Sequence, residues 1–273
     1  MVDRLKVLLE GMSSSSSRST YSSARHCKSG PEHLPNYHRW MQDSFLLDAT
    51  ASEPLSMEEE IKMQKEWRDD EHKCTFIILA RDLLQGQDCV DVPPCSCDDD
   101  SSNERSSYPK LIEQTLHCMI GDINLFLSEE EEELDEEESF RRQQNLQNGT
   151  QQVETKPPEL TQAELDLMIA ESSHRNKKLG SELALMMMHY GASQLNIRRF
   201  FVKIKDTNNS SLRLFKEKLG FDECAYAECF GEYELEVKMQ SSQEMVDWIE
   251  AKWSERSEGQ ARKLYHIHDV PLA

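Results

Sequence analysis

Arg175, Lys177 and Lys178 stand between a short apolar run and an apolar helix stripe, a spacing that points to anion chemistry. Leu165 to Ile169 reads as a strand, residues 174–178 as a polar, basic turn, and a helix begins near Gly180. Leu179, Leu183, Met186 and Tyr190 lie four, three and four apart, the period of one helix face. The first N–H groups of a helix have no partner within it, and the dipole puts positive potential there. Backed by three cations, such a turn suits a phosphate or pyrophosphate.

The rest of the chain supplies the elements that would hold this turn. Leu5 to Leu9 reads as a strand or short helix, followed by a serine run over 12–23. Residues 31–47 read as one helix, with Leu34, Tyr37 and Met41 on a face and Trp40 beside it. Ser56-Met-Glu-Glu59 is a capping box that starts a helix to about Arg68, on which Met63 and Trp67 pack together. Cys74 to Leu79 is an apolar strand. Leu116 to Leu127 reads as a strand bent or bulged at Gly121, forming a hairpin with 163–169. Arg199 to Lys205 alternates, with Phe200, Val202 and Ile204 on one face. Asp206 to Asn209 is a turn and N-cap, and the next helix buries Leu212 and Phe215 before ending at Gly220. Cys224 to Phe230 and Tyr233 to Val237 form a hairpin around Gly231. Met245, Trp248, Ile249 and Trp253 have helical spacing, in a helix either appended to the domain or docked on a partner.

Composition limits the classes open to the chain. Its 273 residues are 37% hydrophobic, low for a chain folded throughout. We expect a core of about 170 residues, with a poorly ordered, serine-rich stretch over 1–30. A domain over 31–238 is interrupted by insertions at 81–110 and 129–160, and 239–273 is a C-terminal extension with an amphipathic helix. The net charge is −20, and the nine acids within 129–138 together with Asp98, Asp99 and Asp100 account for twelve of those negative charges. With no basic stripe, nucleic acid is not an expected partner; the acidic run reads first as a solvated loop that keeps the chain soluble, and otherwise as a place for a basic peptide or protein. No apolar run reaches the eighteen or so residues of a membrane span, so no membrane partner is expected. Cys89, Cys95 and Cys97, with His117 or Cys118, match no zinc spacing, and no metal is expected. The cysteines look like small core residues, which indicates a reducing, cytoplasmic location.

In its element order the chain resembles the GNAT acetyltransferases, and within them the N-acetyltransferase 9-like proteins. The residues that carry the likeness are His38-Arg-Trp-Met41, Thr50-Ala-Ser-Glu-Pro-Leu55, Cys74-Thr-Phe-Ile77, Gly121-Asp-Ile-Asn-Leu-Phe-Leu127, Leu167-Met-Ile-Ala-Glu171 and Phe215 to Phe221. It extends over about 31–238. The resemblance implies a mixed α/β GNAT fold, with a central twisted mixed sheet, flanking helices and a V-shaped cofactor cleft. It also implies acetyl-CoA as acyl donor, its pyrophosphate held on Arg175, Asn176, Lys177, Lys178, Leu179, Gly180 and Ser181. Lys178 stands where the family has its first glycine, which lets the backbone approach phosphates without a Cβ. Backbone groups of Met168 and Ile169 would hold pantetheine, and Asn208 would hydrogen-bond it or cap its own helix. Asn208 with Ser211 keeps the family's Asn–Ser spacing but leaves the route to Gly220 one residue long, so the helix end is expected to bulge. Phe215 stands near where many relatives place a tyrosine acid.

The likeness further implies direct attack by an amine, which must first lose a proton. Glu164 is the first candidate base, Glu171 the second, and Asp122 could act through water. Tyr226 and Tyr233 are candidate acids. Cys224 has no adjacent base motif that would support a covalent route. The implied acceptor is a peptide or protein amine, with a link to tubulin. A catalytically impaired scaffold and an interaction module using the acidic loop are the alternatives, and the turn 174–180 decides between them and the enzyme.

Overall fold

The computed structural model describes residues 5–7, 33–80, 83, 116–130 and 160–256. The serine run 12–23, nearly all of the insertions at 81–110 and 129–160, Cys89, Cys95 and Cys97, and the tail beyond 256 lie outside the described residues. Seven strands form one sheet in the order β1-β2-β3-β4-β5-β7-β6. They are β1 (Leu5–Val7), β2 (Lys73–Ala80), β3 (Met119–Glu129), β4 (Leu160–Ile169), β5 (Arg199–Lys205), β6 (Asp222–Ala227) and β7 (Glu232–Lys238). Every neighbouring pair is antiparallel except β4 with β5. This is the mixed sheet that was expected. Of the two N-terminal possibilities, a strand is realised, with Leu5 opposite Ala80 and Val7 opposite Ile78.

One face of the sheet is covered by α4 (Leu179–Leu195), by α5 (Asn209–Leu212, continuing as a π-helical stretch Arg213–Leu219) and by α6 (Ser242–Arg256). Between them lies the larger core, with Phe200, Leu183, Met188, Leu235, Met245 and Ile249 fully buried. The C-terminal helix therefore docks on its own chain, and its apolar positions close the core beside α4. The other face carries α1 (Leu34–Trp40), α2 (Ser44–Ala49) and α3 (Met57–Asp69). Trp40, Met41 and Leu46 pack there on Ile77, Leu79, Met119 and Met168.

Two local readings change, and a third residue gains a partner that was not foreseen. Residues 31–47 do not form one helix. The chain breaks after Trp40, and Asp43 starts α2 by accepting a hydrogen bond from the Phe45 N–H (2.9 Å). Trp67 packs edge-on against Phe126, at 5.5 Å between ring centres. The predicted bulge in β3 sits at Ile120, since Ile78 opposes Gly121 while Leu79 opposes Met119. Gly121 is required there for a different reason: a Cβ on it would fall 1.9 Å from the Met168 carbonyl oxygen, in the adjacent strand's backbone. The capping box at Ser56 is present in full.

Candidate active site

Parallel pairing of β4 with β5 covers only Gln162–Glu164 opposite Arg199–Phe201 and then stops, so the two strands splay. Their closed end is clamped by charge. Arg199 donates to Gln162 on β4 (2.5 Å) and to Glu234 (3.0 Å) and Glu236 on β7, while Glu130 pairs with Arg198 (2.6 Å) and Lys238. The open end is bridged by α2. Phe45 lies under the Arg175 guanidinium at 4.7 Å, and at the other side Asp48 pairs with Lys205 (3.1 Å). Asn208 Nδ2 donates to the Ala49 carbonyl at 3.4 Å.

Which backbone groups line the gap follows from the β3–β4 ladder. Ala170 N–H donates to the Ile120 carbonyl (2.8 Å), and the register continues as Asp122 opposite Met168 and Asn124 opposite Asp166. Antiparallel ladders alternate, so Met168 turns its backbone toward β3, while Leu165, Leu167 and Ile169 turn theirs toward β5 and the gap. This corrects the assignment of Met168, whose side chain is also buried under α1 and α2. Ile169 turns its backbone to the gap side, where its carbonyl accepts from Arg175 Nε (2.8 Å).

The turn before α4 has the shape an anion site needs. Asn176 (φ 59°) and Lys178 (φ 64°) are both left-handed, and Lys178 is the N-cap of α4 with no side chain capping the helix. The lysine has thus adopted a left-handed backbone of the kind glycine takes without steric cost, leaving the first N–H groups of a 17-residue helix for a ligand. Lys177 and Lys178 are exposed. Arg175 is turned back onto the end of β4, donating also to the Ala170 carbonyl (2.5 Å), so it braces the turn. The Leu179 and Ser181 side chains are buried, which leaves only their backbone for the cofactor. Gly180 is a packing glycine: a Cβ there would lie 3.1 Å from Leu214 and 3.7 Å from Leu167. Splayed backbone, uncapped helix and left-handed turn together fit a pantetheine pyrophosphate, with Leu165, Leu167 and Ile169 positioned to hold its amides and residues 177–181 its phosphates.

The proposed acid–base residues fare unevenly. Glu171 accepts from Arg39 (2.6 Å) and from the Trp40 indole (2.7 Å). Partial burial raises its pKa, but these hydrogen bonds and the Arg39 charge outweigh it and hold the carboxyl below its ordinary value, which makes it a poor base. Glu164, at the last paired position of β4 before the gap, is ion-paired with Lys203 at 2.9 Å. Tyr226 opposes Tyr233, which opposes Ile204, a residue of the core beneath α4, so both tyrosines lie on the sheet face opposite the acidic residues. The Tyr226 hydroxyl donates to Asp206 (3.0 Å), and that bond raises its pKa. Phe215 is buried edge-on against Phe221 and has no proton to give. Asn208 caps its helix, accepting from the Ser211 N–H (3.1 Å). Burial and then the charges of Glu234 and Glu236 push the Cys224 thiol up to about 11, against a nucleophilic role.

Asp166 and Asn124 were not singled out from the sequence. On the face beneath α1, Asn124 Nδ2 donates to Asp122 (3.0 Å) and reaches Asp166 (3.4 Å). Asp122 is 3% exposed and Asn124 1%. Burial, then the Asp166 charge, raises Asp122 to about 7. Asp166 is also raised, by burial first, partly offset by Asn124 and reinforced by Glu164. Tyr37, half-buried on α1, has its phenol pushed well up by burial and by Asp122, Asp166 and Glu60. The available signal was polar residues at every second place, Asp122, Asn124 and Asp166, in strands otherwise apolar on that stretch.

Residues 28–222 match the Acetyltransferase (GNAT) domain, and the chain belongs to the GNAT acetyltransferase family, enzymes that move an acetyl group from a coenzyme A thioester to an amine. Within it, the chain is 36% identical to the N-acetyltransferase 9-like protein of Nematostella vectensis over 204 residues, 75% of this chain and 77% of that one. It is 34% identical to the Alpha/beta-tubulin-N-acetyltransferase 9 of Homo sapiens over 78% of each chain. It is also 34% identical to the N-acetyltransferase 9-like protein of Schizosaccharomyces pombe, over 75% of this chain and 88% of that one. Among the described residues there is no cluster of three or more His, Cys, Asp or Glu suited to a metal, and no helix long and apolar enough to cross a membrane.

Proposed function

We propose that this chain transfers the acetyl group of acetyl-CoA to an amine of a peptide or protein, with tubulin as the acceptor to test first. The observation that carries the reading is the open gap between β4 and β5 beside the uncapped start of α4. A thioester lying along Leu165, Leu167 and Ile169 would present its carbonyl on the face where Asp122, Asp166 and Tyr37 stand, beneath α1. The amine attacks the carbonyl carbon, the C–S bond breaks, and the sulfur takes a proton. The acceptor class is supported by the names of the human, mouse and fly relatives, each an Alpha/beta-tubulin-N-acetyltransferase 9. We also propose a cytoplasmic location, supported by Cys74, Cys118, Cys224 and Cys229, which form no disulfide with one another.

The test is calorimetry with acetyl-CoA on the full chain, followed by mass spectrometry of free-amine tubulin peptides incubated with both. Saturable binding and a peptide gaining one acetyl group are expected, and Arg175→Ala is expected to weaken binding by loosening the turn. A folded chain that binds no acetyl-CoA would overturn the reading. Binding without transfer to any peptide amine would overturn the acceptor.

A further inference from the structure

We propose that Asp166 takes the proton of the acceptor ammonium and that Asp122, linked to it through Asn124, is the positioning residue that holds that proton ready. The inference rests on the acetyl-transfer reading and assigns a catalytic apparatus to the same site.

Geometry comes first. Asp166 sits in the splayed half of β4, between Leu165 and Leu167, whose backbone groups face the gap. Its side chain is on the face opposite α4, and it keeps part of its surface open, whereas Asp122 behind it is closed off. Asn124 offers one amide group to both carboxyls, at 3.0 and 3.4 Å. The Asp122 oxygen that Asn124 does not reach and the carbonyl oxygen of Asn124 are buried without a hydrogen-bond partner. Two acids that share one donor and stand in a poorly hydrated place do not both ionise easily, so they titrate as a pair.

The groups around the pair reinforce this. From α1, Tyr37 approaches with a neutral phenol. His38 on α1 is committed to the buried Glu60 of α3, Nδ1 to Oε1 at 3.0 Å. From the strands, Glu164 adds negative charge and holds Lys203 at 2.9 Å. The raised affinity of Asp122 for a proton, to about 7, agrees with a site that is half-charged near neutral pH, where a general base is most effective.

The step balances as follows. The ammonium N–H bond breaks and its proton passes to the Asp166 carboxylate. The freed amine attacks the thioester carbon, forming N–C. The C–S bond then breaks, the second amine proton passes to the leaving sulfur, and the pair returns its proton to water. No redox partner is required.

The experiment compares the full chain with Asp166→Asn and Asp122→Asn, using acetyl-CoA and two acceptors. One is a free-amine peptide; the other is the same peptide carrying a terminal hydrazide nucleophile, which is already unprotonated at neutral pH. Calorimetry with acetyl-CoA checks that each variant keeps the cleft. We expect Asp166→Asn to lower kcat/KM for the amine by at least about 100-fold and for the hydrazide by less than about 10-fold. Asp122→Asn should move the acidic limb of the amine pH profile to lower pH, because Asp166 loses its like-charged neighbour. Equal losses on both acceptors, with the limb unmoved in either variant, would make the pair structural and sink the proposal while leaving acetyl transfer intact. An unaltered chain that transfers to neither acceptor would overturn the proposal and the functional reading together. If Asp122→Asn fails to fold, the two acceptors with Asp166→Asn decide the matter.

Discussion

Lys178 carries the sharpest residue-scale question, because it stands where the family resemblance expects a glycine, beside the proposed phosphate site. Its φ of 64° shows how the chain answers: the left-handed backbone is kept and the strain is tolerated. An L-residue there costs roughly 1–2 kcal/mol, while glycine would return about 0.4–1 kcal/mol of that as extra freedom in the unfolded chain. Lys178→Gly should therefore stabilise the protein by about 0.5–1 kcal/mol, read as a higher urea midpoint with unchanged slope. Acetyl-CoA affinity should not improve, since the backbone shape is already present and a cation is lost. A tenfold gain in affinity would show instead that the lysine obstructs the turn. The sequence identified the mismatch at this position, but only a dihedral angle could say which way it was resolved. The same limit applied to Glu171. Its charge was legible, whereas the Arg39 and Trp40 that disarm it lie more than a hundred positions away.

At the level of elements, local patterns were read well and competing local signals less so. The extra residue between Asn208 and Gly220 was countable, and it is absorbed as the π-helical stretch Arg213–Leu219 before a left-handed Gly220. The break between α1 and α2 was missed because the apolar stripe runs on past Trp40, and the Asp43 cap that starts α2 was not read. Face assignments of the acids required strand register, which a sequence does not carry when the hairpin tip is long. The C-terminal helix was legible as a helix but not as part of the core, since amphipathic spacing names no partner. Its Met245 and Ile249 are completely buried in the core shared with α4, whose N-terminus is the proposed anion site. Ile249→Ala should cost about 2–5 kcal/mol in a denaturant titration. The loss should appear as global unfolding with α4, so acetyl-CoA binding at 25 °C is retained wherever the variant remains folded. A variant that unfolds only α6, with the rest of the transition unchanged, would show that the helix is an appendage after all.

Across the whole molecule the charge is −20, yet the cofactor turn is locally positive. These opposite fields act over different ranges. At about 0.1 M salt, charges more than about 10 Å apart are largely screened, so an approaching basic peptide feels the net acidity mainly at low salt. The proposed phosphate site would work at contact, through Lys177, Lys178 and the first N–H groups of α4, and would lose less. Raising ionic strength from about 0.05 to 0.3 M should therefore lower kcat/KM for a basic acceptor peptide several-fold, chiefly through slower association. An acceptor of the same length with neutral side chains should change by less than half as much on a logarithmic scale. Steady-state assays at saturating acetyl-CoA separate the two, because the cofactor step then drops out. Equal salt dependence for both peptides would mean that the acidity of the chain does not steer its acceptor. The recognition would then have to reside in short-range contacts around α1, α2 and the mouth of the gap.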